Sequence, residues 1–399
     1  RMDLTAATEK ARALAQGLYP HQVEGVAFLL GRERAILADD MGLGKTRQSI
    51  VALAAACRSG PYLVVCPASV KLNWKRELQA AGRAEPVHVD GPDAPPAAGF
   101  TGWIIVNYDL LKKHVDALKA FACPGFVFDE AHYLKNHRAQ RSRYSRALLP
   151  EEGPPPIVHV LTGTPLTNRP RDLFPLLQLV RHSLGRSFLA FAKSYCDAHQ
   201  NDYGHWQTGG ASNIEELSVQ LQGIMLRRRK DEVLNLPPKQ RTWIDTDVPE
   251  SVRDEINRVA EYLLDEDARN VRGNRNIGMI SRARRKLAVA KTPQTIEYVQ
   301  GAIDQGEKVI LFSHSTHATR RMTRAFKDVC VTITGAVPAS RRQALVDRFQ
   351  DRTGTLHCMP ETLGHEREHG LERGLNLRPR NLTQSGHGSL LVGCAVDTN

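Results

Sequence analysis

The stretch "RAILADDMGLGKTRQSIVALAAAC", residues 34–57, decides how the rest of the chain is read. It opens on a short apolar run, turns through glycines, and continues as a helical pattern of small and apolar residues. Glycines let a backbone approach a phosphate closely, and the helix that follows aims its N-terminal N–H groups and its dipole at the same point. Lys45 adds a cation for the β- and γ-phosphates, and the Thr46 hydroxyl can ligate Mg²⁺. The strict G-x-x-x-x-G-K-[ST] pattern asks for glycine at position 39, where Asp39 stands. The order of strand, glycine-rich loop, Gly-Lys-Thr and helix still predicts a nucleotide site. Asp40, Gly42, Gly44, Lys45 and Thr46 would line it.

Working outward, the first 180 residues repeat one theme of a short β-branched run, a turn and a helical pattern. The runs are "RAILAD", "YLVVCP" (62–67), "WIIVNY" (103–108), "FVFDE" (126–130) and "VHVLTGT" (158–164). They are nearly continuously apolar, as strands covered on both faces should be. The alternation predicts an α/β fold, a parallel sheet with its chemistry beyond the carboxyl ends of the strands. "FVFDEAHYL" places two carboxylates at such an end: Asp129 to hold Mg²⁺ through water, Glu130 to orient and deprotonate an attacking water. Taken alone, the pair could equally cap the following helix. "LTGTP" (161–165) ends another strand with two hydroxyls and a turn.

The chain of 399 residues carries a formal charge of +11 and a pI near 9.4, a balance that suits a polyanion such as nucleic acid. Seven scattered cysteines without a C-x-x-C pair read as buried free thiols in a reducing compartment. No apolar run reaches membrane-spanning length, and the N-terminus lacks the apolar core of a signal peptide. An intracellular soluble protein is expected. Arg1 ahead of Met2 reads as the start of a fragment.

These residues, taken in order, resemble the Swi/Snf-type DNA-dependent ATPases of helicase superfamily two. In that family "DEMGLGKT" is the loop form, so Asp39 is no longer anomalous. "LYPHQVEGVAFLL" (18–30) looks like the adenine-side motif, with Gln22 as the base-reading residue. "LVVCPASVKLNWKRELQ" (63–79) is similar to motif Ia, "IIVNYDLL" (104–111) to Ib, "FVFDEAHYLKN" (126–136) to II and "LTGTPLTNRPRDLFPLL" (161–177) to III. Thr162-Gly163-Thr164 stands where DEAD-box RNA helicases carry Ser-Ala-Thr. "IMLRRRKDEVLNLPPKQR" (224–241) resembles the stretch between the family's two lobes, which explains Arg227–Lys230 better than a nuclear signal does. "SNIEELSVQLQGIMLRRRKDEVL" (212–234), "RARRKLAVAKTPQTIEYV" (282–299) and "GEKVILFSHSTHATRRM" (306–322) together resemble the annealing-helicase subgroup and its small bacterial relatives.

The resemblance implies two RecA-like parallel-sheet lobes with helical insertions, ATP and Mg²⁺ as cofactors, and ATP-driven movement on duplex or branched DNA. DNA would be gripped by its backbone, independently of sequence, with contacts around Ser69, Lys71, Asn107 and Thr164. The expected domains are 1–185 for the first lobe, 186–245 for a helical insertion and linker, 246–350 for part of the second lobe, and 351–399 for an atypical tail. The location would be cytoplasm or nucleoid in a bacterium, the nucleus in a eukaryote.

The tail departs from the pattern. The family calls for a strand, a motif V ending in Gly-Leu-Asn-Leu, and a motif VI bearing the arginine that faces the γ-phosphate. "GLNL" stands at 374–377, but no apolar run precedes it and nothing after it has the spacing of motif VI. From 351 onward the composition favours disorder. The second lobe is therefore expected to be incomplete. The alternative function is a module that binds ATP and DNA with impaired hydrolysis. A frameshift or truncation of the coding sequence near Asp351 would account for the break. His365-Glu366-Arg367-Glu368-His369 matches H-E-x-x-H, but glycines flank it and no apolar face anchors a helix, so the match reads as incidental.

Overall fold

Five apolar runs of the first half become parallel strands of one sheet in the computed structural model. It describes residues 2–399 except 58, 90–96, 98, 166–168, 236–243, 245, 265–273, 314, 352–355, 361–389 and 394–399. The chain divides into two compact units, Arg1–Pro237 and Pro238–Asn399.

In the first unit the strands are β1 (Arg34–Leu37), β2 (Tyr62–Cys66), β3 (Val87–Val89), β4 (Trp103–Asn107), β5 (Gly125–Phe128) and β6 (Ile157–Leu161). They are followed by β7 (His199–Gln200), β8 (Trp206–Gln207) and β9 (Met225–Leu226). The seven-stranded sheet runs β3-β4-β2-β5-β6-β1-β9, and every pairing in it is parallel. Alternate residues feed two separate cores. Leu63, Val65, Ile104, Val106, Phe126 and Phe128 pack on one face. Tyr62, Val64, Trp103, Ile105 and Val127 pack on the other, with Ile50 and Leu53 of the helix Lys45–Ala56. A period of two with both faces covered is why the runs read as continuously apolar. Each large apolar side chain so buried contributes about 1.5–3 kcal/mol.

Two features lie where helices and linker were expected. Residues 199–207 form a small antiparallel hairpin, β7 with β8. β9 adds a seventh strand against β1, aligning Ile36 with Met225 and Leu37 with Leu226. Two residues are too few for a periodic signal, so β9 was invisible to pattern reading.

The second unit holds β10 (Val309–Ser313), β11 (Cys330–Thr332), β12 (Leu356–Pro360) and β13 (Leu390–Gly393), parallel in the order β11-β12-β10-β13. Helices Glu250–Leu264, Asn274–Asp304, Thr316–Ala325 and Ala339–Asp351 accompany it. Val309 and Leu311 pack with Ala288, Val299, Ala318, Met322 and Phe326. A strand does stand ahead of Gly374, where the sequence shows no apolar run: β12 lies between β10 and β11. His357 and Pro360 broke the apolar run, but backbone pairing on both edges satisfies a middle strand whatever its side chains. The His365–His369 element and Gly374–Leu377 lie outside the described residues.

Among the described residues no three His, Cys, Asp or Glu side chains cluster as metal ligands, and no helix is long and apolar enough to cross a membrane. Cys57, Cys66, Cys123 and Cys196 are buried free thiols. Burial raises the Cys57 thiol to about 11 and the Cys123 thiol to about 12, which keeps them inert.

Candidate active site

Because all seven strands of the first sheet run the same way, their carboxyl ends share one edge. The loops after β1, β2, β4, β5 and β6 meet there. The loop after β1 turns through Gly42 (φ +86°) and Gly44 (φ +74°), left-handed positions that favour glycine. A Cβ on Gly44 would fall 2.2 Å from Gln22 Nε2, so a larger residue would displace the Gln22 amide as well as strain the backbone. Gln22 and His21 both lie against this loop. Gln22 Nε2 donates to Leu43 O (3.3 Å) while its Oε1 accepts from Tyr19 N (3.0 Å), and His21 Nε2 is 3.2 Å from Leu43 O. The expected base-reading side chain thus also braces the loop.

Lys45 begins the helix Lys45–Ala56 and is buried, with Nζ donating to the carbonyls of Asp39 (2.7 Å) and Asp40 (3.1 Å). Burial pulls its pKa below the ordinary lysine value, and the charges of Glu130, Asp129, Asp39 and Asp40 oppose that pull. Thr46, half-buried, follows in the first turn of the same helix.

Asp129 and Glu130 follow β5. Asp129 N donates to Val65 O (2.8 Å), extending the pairing with β2 by one residue. The chain then kinks at Glu130, whose φ of +47° is left-handed for a non-glycine residue. Such a conformation costs about 1–3 kcal/mol and concentrates at functional sites. Asp129 Oδ2 accepts from Trp74 Nε1 (2.7 Å) and Oδ1 from Glu130 N (2.8 Å), while the backbone carbonyl accepts from the Tyr108 hydroxyl (2.8 Å). Burial, then the charge of Glu130, raises the Asp129 carboxyl to about 7, against the lowering effects of the Trp74 and Glu130 N–H bonds and of Lys45. Glu130 Oε2 lies 3.1 Å from His132 Nδ1.

The remaining expected residues stand along the same edge. Ser69 is exposed in the turn after β2, and Lys71 opens the helix Lys71–Ala80. Lys71 Nζ donates to Oδ1 of Asn107, the last residue of β4, at 3.0 Å. Thr164 follows β6, its N–H donating to Thr162 Oγ1 (3.2 Å). A Cβ on Gly163 would meet Met41 Cγ at 2.6 Å, so this turn packs directly against the loop after β1.

Three residues to which sequence reading gave no place in the site complete the surroundings. Trp74 and Tyr108 hold Asp129. Arg228, just past β9, grips Asp39 at both carboxylate oxygens, through Nε to Oδ1 (3.0 Å) and Nη2 to Oδ2 (2.5 Å). It also donates to Gln48 Oε1 (3.0 Å) and to the carbonyl of His21. Asp40 N bonds Arg228 O (2.9 Å), and Lys230 N bonds Asp40 Oδ2 (3.1 Å). Asp39, the residue that breaks the strict loop pattern, is therefore half of a buried ion pair. No local spacing could reveal a partner 189 positions away.

Comparison with known proteins bears on the same region. A model of the SNF2-related domain matches residues 21–253. The chain is 34% identical over 352 residues to the SWI/SNF-related matrix-associated actin-dependent regulator of chromatin subfamily A-like protein 1 of Xenopus tropicalis, covering 84% of this chain and 36% of that protein. It is 33% identical over 353 residues to the human DNA annealing helicase and endonuclease ZRANB3, covering 84% of this chain and 32% of that protein. A solved Sulfolobus solfataricus SWI2/SNF2 ATPase core in complex with dsDNA aligns over 94% of this chain and 88% of its own, at 21% identity and a TM-score of 0.49. The chain spans about a third of the length of these curated relatives. With the domain matched over more than half of its residues, the chain belongs to the SNF2-related family.

Proposed function

We propose that the chain binds ATP with Mg²⁺ and hydrolyses it in response to duplex or branched DNA, coupling turnover to movement along the DNA or its remodelling. The observation that carries this reading is the shared carboxyl edge: Lys45 opens the helix after β1, and Asp129 and Glu130 follow β5, parallel strands separated only by β6. A cation from one loop and two carboxylates from another thus meet at one sheet edge. The donor set suits a magnesium nucleotide: two left-handed glycines, a helix N-terminus and a lysine for phosphates, and a hydroxyl and a carboxylate for a hard cation. Each Asp129 oxygen holds one hydrogen bond and keeps lone-pair capacity for a metal-bound water. Thr46 and Asp129 would hold the ion, Asp129 through water. When bound, Mg²⁺ neutralises phosphate charge and polarises the transferred phosphoryl group. Lys45 supplies further charge to the phosphates, Glu130 orients and deprotonates the attacking water, and Gln22 would read the base.

Ser69, Lys71, Asn107 and Thr164 share the carboxyl edge and offer hydroxyl, amide and ammonium groups suited to phosphate oxygens, contacts that carry no sequence information. The net charge of +11 favours a polyanion, and a relative described as a DNA annealing helicase supports DNA as that polyanion.

Phosphate release measured with and without duplex DNA, alongside Lys45→Ala, tests the reading. Turnover well above that variant and raised by DNA is expected. Turnover no higher than Lys45→Ala would sink hydrolysis, and retained ATP binding would then favour the binding module.

A pH effect follows from Asp129. With its carboxyl raised to about 7, protons compete for the metal-holding form below neutrality. Half-saturating Mg²⁺ for turnover should therefore fall about tenfold from pH 6 to pH 8. An unchanged requirement across that range would contradict the assignment, and in Asp129→Asn the dependence should vanish. In the metal-free protein the raised carboxyl adds stability that is complete at acid pH and is lost as pH rises through about 7.

A further inference from the structure

Asp129 receives two side-chain hydrogen bonds, and both come from loops expected to touch DNA. Trp74 is fully buried, and its indole N–H reaches Oδ2 at 2.7 Å. It sits three residues after Lys71 in the helix Lys71–Ala80, less than one turn along a rigid element. Tyr108 directly follows Asn107, is also buried, and its hydroxyl reaches the Asp129 carbonyl at 2.8 Å. The Lys71–Asn107 bond at 3.0 Å ties the two loops together at their outer ends. The side chains therefore form a closed bracket: Lys71 and Asn107 at the edge, Trp74 and Tyr108 beneath them, Asp129 at the base. Volume alone does not explain it. At Tyr108 a phenylalanine would fill the same space without presenting an O–H to a buried polar group.

We infer that Trp74 and Tyr108 are positioning residues that transmit DNA contact at Ser69, Lys71 and Asn107 to the placement of the Asp129 carboxylate. The inference deepens the proposed function and rests on it. A phosphate drawn to Lys71 competes with Asn107 for the ammonium, which opens the outer end of the bracket. The helix carries that displacement to the indole without a hinge. Hydrogen bonds weaken steeply as donor and acceptor lose alignment, so a small shift of Trp74 changes which way Oδ2 is held. Tyr108 holds the backbone of the same residue, so the carboxylate turns about a fixed point instead of drifting.

Tyr108→Phe removes its donor and keeps the ring, while Trp74→Phe removes the donor together with the smaller ring of the indole. The ratio of DNA-stimulated to DNA-free turnover should fall about 5- to 150-fold in each, the range of ordinary coupling between sites. A merely structural role would alter both rates together and leave the ratio alone. A second readout needs no turnover. In nucleotide-free protein labelled at tryptophan indole nitrogen, the Trp74 resonance is identified by its loss in Trp74→Phe. Duplex DNA should shift it while that of Trp103, at the far end of β4, stays in place. If Trp74→Phe fails to fold, Tyr108→Phe and the indole resonance decide the matter. A ratio unchanged in the folded variants, or an indole signal unmoved by saturating DNA, overturns the inference. If DNA fails to stimulate the unsubstituted chain, the proposed function fails separately, and the indole shift alone decides whether the bracket responds to DNA.

Discussion

Glu130→Gln is expected to cut DNA-stimulated phosphate release by about 10²- to 10⁴-fold, the usual worth of a positioned general base. ATP affinity should stay within a few-fold. The amide keeps the size of the carboxylate and can still face His132 Nδ1, which lies 3.1 Å from Oε2, so the local packing survives. What is lost is the capacity to take a proton. The kinked backbone at Glu130, with φ +47°, is tolerable for glutamine at similar cost, and a fold defect is not expected. Glu130 also heads the carboxylates that support the buried Lys45 ammonium, so its neutralisation weakens that cation as well. Single-turnover phosphate release at saturating DNA, paired with calorimetric ATP binding, separates the two effects. A rate within tenfold of the parent would remove Glu130 from the role of base. A rate loss matched by an equal loss of affinity would make it a binding residue.

Arg228→Ala should destabilise the first unit by about 3–5 kcal/mol, because it leaves the Asp39 carboxylate buried and unpaired. The Asp39 side chain is 0% exposed and that of Arg228 10%, so solvent screens the pair little. Gln48 and the His21 carbonyl lose a donor in the same substitution. For a unit of this size the loss corresponds to a fall in Tm on the order of 10 °C. Arg228→Lys should recover only part of it, since an ammonium cannot match the two-oxygen grip. Nucleotide affinity should fall beyond what stability explains, because Asp39 and Asp40 shape the loop that presents Lys45. Thermal melting and ATP titration below the melting range check both arms. A melt within 2 °C of the parent would show that the pair contributes nothing.

Much of the first unit was legible in the chain alone. Five of its parallel strands announce themselves as short continuous apolar runs, since both faces of the sheet are covered and no solvent face imposes alternation. The glycine-rich loop with Lys45 after β1, and the Asp129–Glu130 pair after β5, were equally legible as candidates, because phosphate and metal chemistry asks for particular residues at short spacing within each strand–loop unit. β9 and β12 escaped notice. One is two residues long and the other carries histidine and proline, and in both the ladder of backbone bonds, which leaves no mark on composition, supplies the reason to be a strand.

Side-chain roles divide the same way. Local sequence determined which residues can bind a phosphate or activate a water, for those properties belong to single groups and their immediate neighbours. Only the tertiary structure decided that Asp39 is half of a buried ion pair with Arg228, that Gln22 braces the loop it was expected to serve, and that Trp74 and Tyr108 converge on Asp129. The physical reason is burial. An ion pair or a hydrogen bond matters most where water is excluded, and what excludes water at this edge is the packing of strands and helices far apart in the chain.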